Sequence, residues 1–305
     1  VAWLGKKSPF CGNVTYGLST TEALRQRGHA VSFIHFDTPA TGLGLLEPAR
    51  QEPLRSPAEL EAAQGSDPDV ALSYLVKSQM YTIPSPGAQR ELRESLERLR
   101  PDLVHASLTL SPLDFRLPDL CQQLGLPLVA TFHPAFDAGL RNLAAGTQQL
   151  TYQLYAPSLA RYDRVIVFSD LQAGMLERLG VRPERIAVIP NGVDEQVWRP
   201  CGVVPSADYL ELAARFAGRR VFLYMGRITT EKNVEALLRA WRLARPEGCV
   251  LVIVGDGPLR GLLQNNAEPD VVWWGIERSL ERRVALLQLA EVFLLPSLVE
   301  GLSLA

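Results

Sequence analysis

Short runs dominated by Val, Ile and Leu recur along the whole 305-residue chain, separated by segments with helical periodicity. The runs are Val1–Leu4, Ala30–Phe36, Leu103–His105, Pro127–Phe132, Arg164–Phe168 and Ile186–Ile189. After an interruption they resume as Val221–Met225, Val250–Val254, Val271–Trp273 and Val292–Leu295. They lack the apolar–polar alternation of a strand with one face in water, which is the mark of parallel strands covered by helices on both faces. The helical segments agree. Val234, Leu237, Leu238 and Trp241 keep the spacing that lines one helix face, and Val14, Leu18, Thr21 and Leu24 share another before a stop at Gly28. Such alternation predicts a doubly wound α/β architecture. Two series of it predict two domains, residues 1–195 and 219–305, joined by an irregular polar linker at 196–218.

Composition narrows the function classes. A hydrophobic content of 47% and a charged content of 21% suit a globular protein with real cores. With a formal net charge of −2 and no long Lys/Arg run, the chain lacks the clustered cations of a nucleic-acid binder. No apolar run approaches the roughly 18–20 residues of a membrane span. Cys11, Cys121, Cys201 and Cys249 are too far apart for a paired zinc spacing or a disulfide framework, and imply a reducing, cytoplasmic compartment. Val1–Leu4 precedes Lys6 and Lys7, the reverse order of a secretory signal. The chain opens inside a strand and closes inside a motif, so it is read as a fragment whose second domain is incomplete.

Residues 38–69 are rich in Pro, Ala, Glu and Gly with little periodicity, and are read as a long surface loop. Asp67-Pro68-Asp69 has the spacing of a metal-binding Asp-x-Asp pair, but no buried strand leads into it, and it is read as a solvated turn.

Candidate chemistry sits at strand ends. Gly5 to Val14, with Lys6, Lys7 and Gly12, is a polar loop opening a helix, whose free N–H groups and dipole favour an anion. An ordinary strand–helix turn would look the same. His133 follows the strand ending at Phe132, where open α/β sheets gather ligands, and an imidazole there can position a hydroxyl. His105 also ends a strand, but Ala106 and Ser107 add no supporting chemistry, so it ranks lower. Arg227 and Lys232 flank the loop after Val221–Met225 and form a clamp for a diphosphate, one a planar fork of donors and the other a compact charge. Val254-Gly255-Asp256-Gly257-Pro258 is a poor dinucleotide fingerprint, because its third glycine is out of register; the glycines are read as keeping a crevice wall low. Pro296-Ser297 with Glu300-Gly301-Leu302 sets a carboxylate beside a helix opening, suited to gripping sugar hydroxyls.

In this order, the Gly12 loop, Phe132-His133, Pro190-Asn191-Gly192-Val193-Asp194, Gly226-Arg227 with Glu231-Lys232-Asn233, Val254–Pro258, and Pro296-Ser297 with Glu300-Gly301 resemble the family-4 retaining glycosyltransferases. The resemblance covers essentially the whole chain. It implies the GT-B fold, two Rossmann-like domains facing a central crevice, and transfer of a hexose from a nucleotide-diphosphate sugar such as a UDP-hexose, with retention and without a metal or other cofactor. It implies that Gly12 lies against the donor diphosphate or the acceptor, and His133 near the transferring sugar. Arg227 and Lys232 would hold the diphosphate, and Gly275 and Ile276 would line the base pocket. Glu300, with Gly301 and Leu302, would contact the donor sugar, and Asn191–Asp194 would lie near a hinge. Cys11 departs from the family's second glycine, and the family's second glutamate would fall at 308.

Gly5–Phe10, Lys77–Pro84 and Val104–Pro112 further resemble lipid galactosyltransferases of the digalactosyldiacylglycerol synthase type. That implies galactose, a glycolipid acceptor such as monogalactosyldiacylglycerol, and a peripheral place on a membrane. An apolar stripe of Leu143, Thr147, Leu150 and Leu154, with Arg141, Tyr152 and Tyr155 nearby, suits a membrane-facing acceptor site together with Lys6 and Lys7. A core helix would carry the same stripe. A soluble acceptor, or an inactive binding protein, is the alternative.

Overall fold

The computed structural model describes residues 1–7, 12–39, 69–78, 81–134, 143–265, 268–298, 300, 303 and 305. The chain divides into two compact units, Val1–Asn191 and Gly192–Ala305. The first is built on a sheet of β1 (Ala2–Leu4), β2 (Ser32–Pro39), β3 (Val70–Lys77), β4 (Thr82–Pro84), β5 (Val104–Ser107), β6 (Leu128–Thr131), β7 (Arg164–Val167) and β8 (Ile186–Val188), in the order β4-β3-β2-β1-β5-β6-β7-β8. All pairs are parallel except β3 with β4. Helices α1 (Gly12–Gln26), α2 (Ala88–Leu99), α3 (Leu117–Leu124), α4 (Leu143–Leu159) and α5 (Asp170–Arg178) alternate with the strands. β1 is wholly buried because helices cover both its faces: Ala2 and Leu4 join the main core, while Trp3 packs with Val31 and Phe33 in a smaller one.

The second unit is a parallel sheet of β9 (Arg220–Met225), β10 (Cys249–Val254), β11 (Val271–Gly275) and β12 (Ala290–Phe293), ordered β11-β10-β9-β12. Its helices are α6 (Ala207–Phe216), α7 (Val234–Ala244), α8 (Arg260–Gln264) and α9 (Leu280–Leu289). β10 is buried along its length, one face against Trp241 of α7 and the other against Phe216 of α6.

Two features depart from the sequence reading. The stretch 196–218, read as a linker, carries α6, whose Leu212 and Phe216 are core residues capped at Ser206. β3 and β4 also went unread. β3 does carry an apolar run, residues 70–76 interrupted by Ser73, though only Val70 and Leu72 are deeply buried; β4 is a three-residue antiparallel edge ending on Pro84, too short to make one.

Candidate functional site

In the first unit, strand order reverses between β1 and β5, a switch point at which the flanking loops diverge and ligands of open sheets collect. Polar side chains gather there. Parallel register sets Ser107 against Thr131 at the ends of β5 and β6. His105 Nε2 lies 2.8 Å from Thr131 Oγ1, which also meets the Tyr16 hydroxyl at 2.9 Å. His133 Nε2 lies 2.8 Å from Ser107 Oγ, with its ring edge-on to Tyr16. Burial lowers His105 to about 4 and His133 to about 3, the latter helped by the nearby Lys6 ammonium and by the cost of charging two adjacent imidazoles together. Both rings are therefore neutral at pH 7 and work through hydrogen bonds. His105 thus has the supporting chemistry the sequence reading denied it, supplied by the adjacent strand.

The loop leaving β5 is held from beneath. The Asp114 carboxylate accepts from Ser111 N at 3.0 Å, Thr109 N at 3.3 Å and the Tyr155 hydroxyl at 2.8 Å. The Tyr162 hydroxyl donates to the Asp114 carbonyl at 3.0 Å. Burial raises the Asp114 carboxyl to about 6 against the pull of these bonds. The segment after His133 is pinned likewise, since the Tyr152 hydroxyl and Gln172 Nε2 both donate to the Pro134 carbonyl, at 2.8 and 2.9 Å.

These contacts correct the acceptor-surface reading. Tyr152 and Tyr155 are core residues, because each hydroxyl has an interior partner that lets the ring be buried. Lys6 is only 3% exposed and donates to the Ser78 carbonyl at 3.3 Å. Lys7, half-buried, pairs with Asp69, the one described residue of the Asp-Pro-Asp turn. Leu150 and Leu154 do face outward on α4, at 62% and 59% exposure. Gly12 begins α1, with open space beside its Cα. Cys11 and Arg141, and the side chains of Leu143 and Thr147, lie outside the described residues.

The second unit's switch point lies between β9 and β12. The loop after β9 is laced to the turn after β10: Gly226 N donates to the Val254 carbonyl and Ile228 N to the Asp256 carbonyl, both at 2.9 Å. A Cβ on Gly255, whose φ is +135°, would lie 1.9 Å from the Gly226 carbonyl oxygen, and one on Gly257 would lie 2.3 Å from that of Ile228. The Gly-Asp-Gly glycines therefore admit the backbone that carries Arg227. The Tyr224 hydroxyl donates to the Arg227 carbonyl at 2.6 Å. The Arg227 guanidinium is exposed and meets Glu231 Oε1 at 3.2 Å.

Five residues on, Lys232 Nζ pairs with Glu300 Oε1, their side chains 18% and 22% exposed, and Ser297 Oγ donates to the same oxygen at 2.7 Å. The loop bearing Ser297 and Glu300 is tied to the turn before α7: Leu298 N donates to the Glu231 carbonyl at 2.9 Å, and Asn233 Nδ2 to the Pro296 carbonyl at 3.2 Å. Asn233 has a φ of +54°, which its short polar side chain tolerates. Lys232 of the clamp and the Glu300 carboxylate, in separate motifs of the sequence, thus meet in one place. Gly275, with φ +89°, ends β11 and accepts from Gly255 N at 2.7 Å; Ile276 beside it is exposed. Gly301 and Leu302 lie outside the described residues. Ser297 and Asn233 lay within quoted motifs; Ser297 bonds locally to Glu300, but the Asn233 bond to Pro296 joins segments over sixty residues apart, which spacing alone does not reveal. Among the described residues no three His, Cys, Asp or Glu side chains converge as a metal site.

Known proteins resemble this chain. The family model described as Glycosyltransferase Family 4 matches residues 12–197, and that described as Glycosyl transferases group 1 matches residues 219–305. The putative glycosyltransferase EpsF of Bacillus subtilis is 35% identical over 39% of this chain and 32% of its own. The alpha-monoglucosyldiacylglycerol synthase of Streptococcus pneumoniae is 27% identical over 49% of this chain and 35% of its own. These matches span about a third of each relative's length. The crystal structure of Anabaena HepE in complex with UDP-glucose superimposes with a TM-score of 0.67 at 16% identity, covering 96% of this chain and 72% of that one. That likeness establishes the fold: GT-B, with two Rossmann-like domains.

Proposed function

The chain belongs to glycosyltransferase family 4, and from that premise we propose that it moves a hexose from a nucleotide-diphosphate sugar to a hydroxyl of an acceptor. The observation that carries the reading is the enclosed Lys232–Glu300 pair at the switch point of the second unit, with Arg227 on the same loop as Lys232 and paired to Glu231. Two cations within reach of one loop can neutralise a leaving diphosphate, the part a metal plays in other transferases. A carboxylate beside them can hold sugar hydroxyls. The first unit takes the acceptor's part, with the neutral His133 imidazole offering a hydrogen bond to a sugar hydroxyl. The HepE complex with UDP-glucose supports a UDP-linked donor.

The finer reading is a metal-independent, retaining transfer of galactose to a membrane glycolipid such as monogalactosyldiacylglycerol. The pneumococcal relative, named for a glycolipid product, supports a lipid acceptor, as do the exposed Leu150 and Leu154 of α4. Among the described residues no helix is long and apolar enough to cross a membrane. This reading has the lipid met at a surface.

The test is transfer from labelled UDP-galactose and UDP-glucose, with and without chelator, to galactolipid, diacylglycerol and soluble sugars. Label in galactolipid that survives chelator is expected, with loss in Arg227→Ala. Label only in soluble sugars would sink the lipid acceptor and keep the transferase. Label nowhere, from any nucleotide sugar, would leave a binding-only protein.

A further inference from the structure

The donor clamp is internally neutralised. Lys232 is held by Glu300 and Arg227 by Glu231, two cations against two carboxylates within one turn and one loop. The two pairs are not equivalent. Arg227–Glu231 is open to water at 46% and 40% side-chain exposure, where an ion pair is worth little and yields easily. Lys232–Glu300 is largely enclosed, and Ser297 adds a hydrogen bond to the oxygen that faces the ammonium. The loop that bears Glu300 is fixed to the Lys232 turn through Leu298 and Asn233, so opening the pair does not carry the carboxylate away. A ligand that takes Lys232 therefore leaves Glu300 part-buried beside it, with its cation shared and a diphosphate's negative charge nearby.

On the reading that this is a nucleotide-sugar site, we propose that the Lys232–Glu300 pair discriminates the complete donor from the spent nucleoside diphosphate. A nucleotide sugar satisfies both halves of the broken pair, its phosphate oxygens accepting from Lys232 and its sugar hydroxyls donating to Glu300. A nucleoside diphosphate satisfies only the lysine and sets its charge against an uncompensated carboxylate. Enclosed charges feel that difference strongly, because little water screens them. Glu300 thus acts twice, holding the sugar of the donor and raising the free energy of the bound product, which favours product release.

Calorimetric titration of the full chain with UDP and with UDP-glucose tests this, in wild type, Glu300→Gln, Lys232→Gln and the double variant. The ADP and GDP counterparts serve if the uridine ligands do not bind. Wild type is expected to prefer the nucleotide sugar. Glu300→Gln is expected to tighten the nucleoside diphosphate about fivefold and to weaken the nucleotide sugar about tenfold, inverting the preference. Lys232→Gln is expected to weaken both ligands, and in the double variant the gain for the nucleoside diphosphate disappears. A Glu300→Gln protein that binds the nucleoside diphosphate no better than wild type overturns the proposal while leaving the donor site standing. Wild type that binds none of these ligands overturns the donor site itself and the proposal with it. Matching circular dichroism of the variants separates either result from misfolding.

Discussion

Both units place their polar centre at the same topological position, beside the strand that starts a reversal of strand order, but they hold it by opposite means. In the first unit the groups are desolvated and neutral, and His105, Thr131, Tyr16, Ser107 and His133 hold one another through hydrogen bonds of 2.8–2.9 Å. In the second they are charged, only partly enclosed, and paired across loops. A neutral network in low dielectric fixes shape and resists salt, but suffers when acid forces charge into it. A set of ion pairs offers charge to a ligand and yields to salt. The same strand-end address therefore serves positioning in one unit and charge neutralisation in the other.

The largest effect expected is on the charged side. Arg227→Ala should lower kcat/KM for the nucleotide sugar about 10²–10³-fold, while changing the free energy of unfolding by less than about 1 kcal/mol, as for an exposed pair. Its loss should be mimicked in part by raising ionic strength. His133→Ala should leave affinity for the nucleoside diphosphate unchanged, and a loss of that affinity would break the division of labour between the units. Gly255→Ala should come next, costing about 3 kcal/mol or more, because the new Cβ meets a backbone oxygen at 1.9 Å on a residue at φ +135°. Urea denaturation should show the second unit's transition displaced and the first unit's unmoved.

Acid should separate the units the other way. His35, His105 and His133 are lowered from 6.5 to about 4, 4 and 3 by burial, so their contribution is complete above pH 6.5 and is lost as pH falls through the folded values. Asp114, raised to about 6, runs in the opposite sense: its contribution is complete below 3.8 and is lost as pH rises through 6. Three imidazoles outweigh one carboxyl, so the first unit's thermal midpoint should fall steadily between pH 6.5 and 4. The described groups of the second unit include no buried histidine, and its midpoint should move less across that window. Tyr155→Phe should cost about 1–3 kcal/mol by removing a donor from the buried Asp114. A midpoint that stays flat with acid in the first unit would show its histidines to be hydrated.

The division also explains what the sequence disclosed. Parallel strands announce themselves as apolar runs, and most of both sheets was legible on that account, even β8 and β12 with their partial cover. β4, three residues at an antiparallel edge, was too short to show, and β3 was lost although residues 70–76 are themselves largely apolar. The charged site was legible because Arg227, Lys232 and Glu300 lie in local motifs at strand ends. The neutral site was largely illegible. Nothing near His105 in the chain signals Thr131, and nothing near Tyr155 signals Asp114, forty-one residues away. Tyr152 and Tyr155 were left open between an acceptor surface and a core helix for the same reason: an amphipathic tyrosine helix looks alike whether its hydroxyls meet water or an interior carboxylate and carbonyl.

That helix carries the smallest stability effect and the sharpest remaining contrast. One side of α4 buries Tyr152, Tyr155 and Leu159, while Leu150 and Leu154 stand open to solvent one turn apart. Two exposed leucines at i and i+4 gain nothing in water, so replacing both with serine should change the unfolding free energy by no more than about 0.5 kcal/mol. If the helix meets a lipid surface, each leucine contributes on the order of 1 kcal/mol there, and the double variant should co-sediment with galactolipid vesicles at least about tenfold less well than wild type. Vesicle binding that does not change would move the lipid contact off this face. A stability loss beyond about 1 kcal/mol would show instead that another part of the protein covers these leucines, and α4 would then join the neutral, packed side of the comparison throughout its girth.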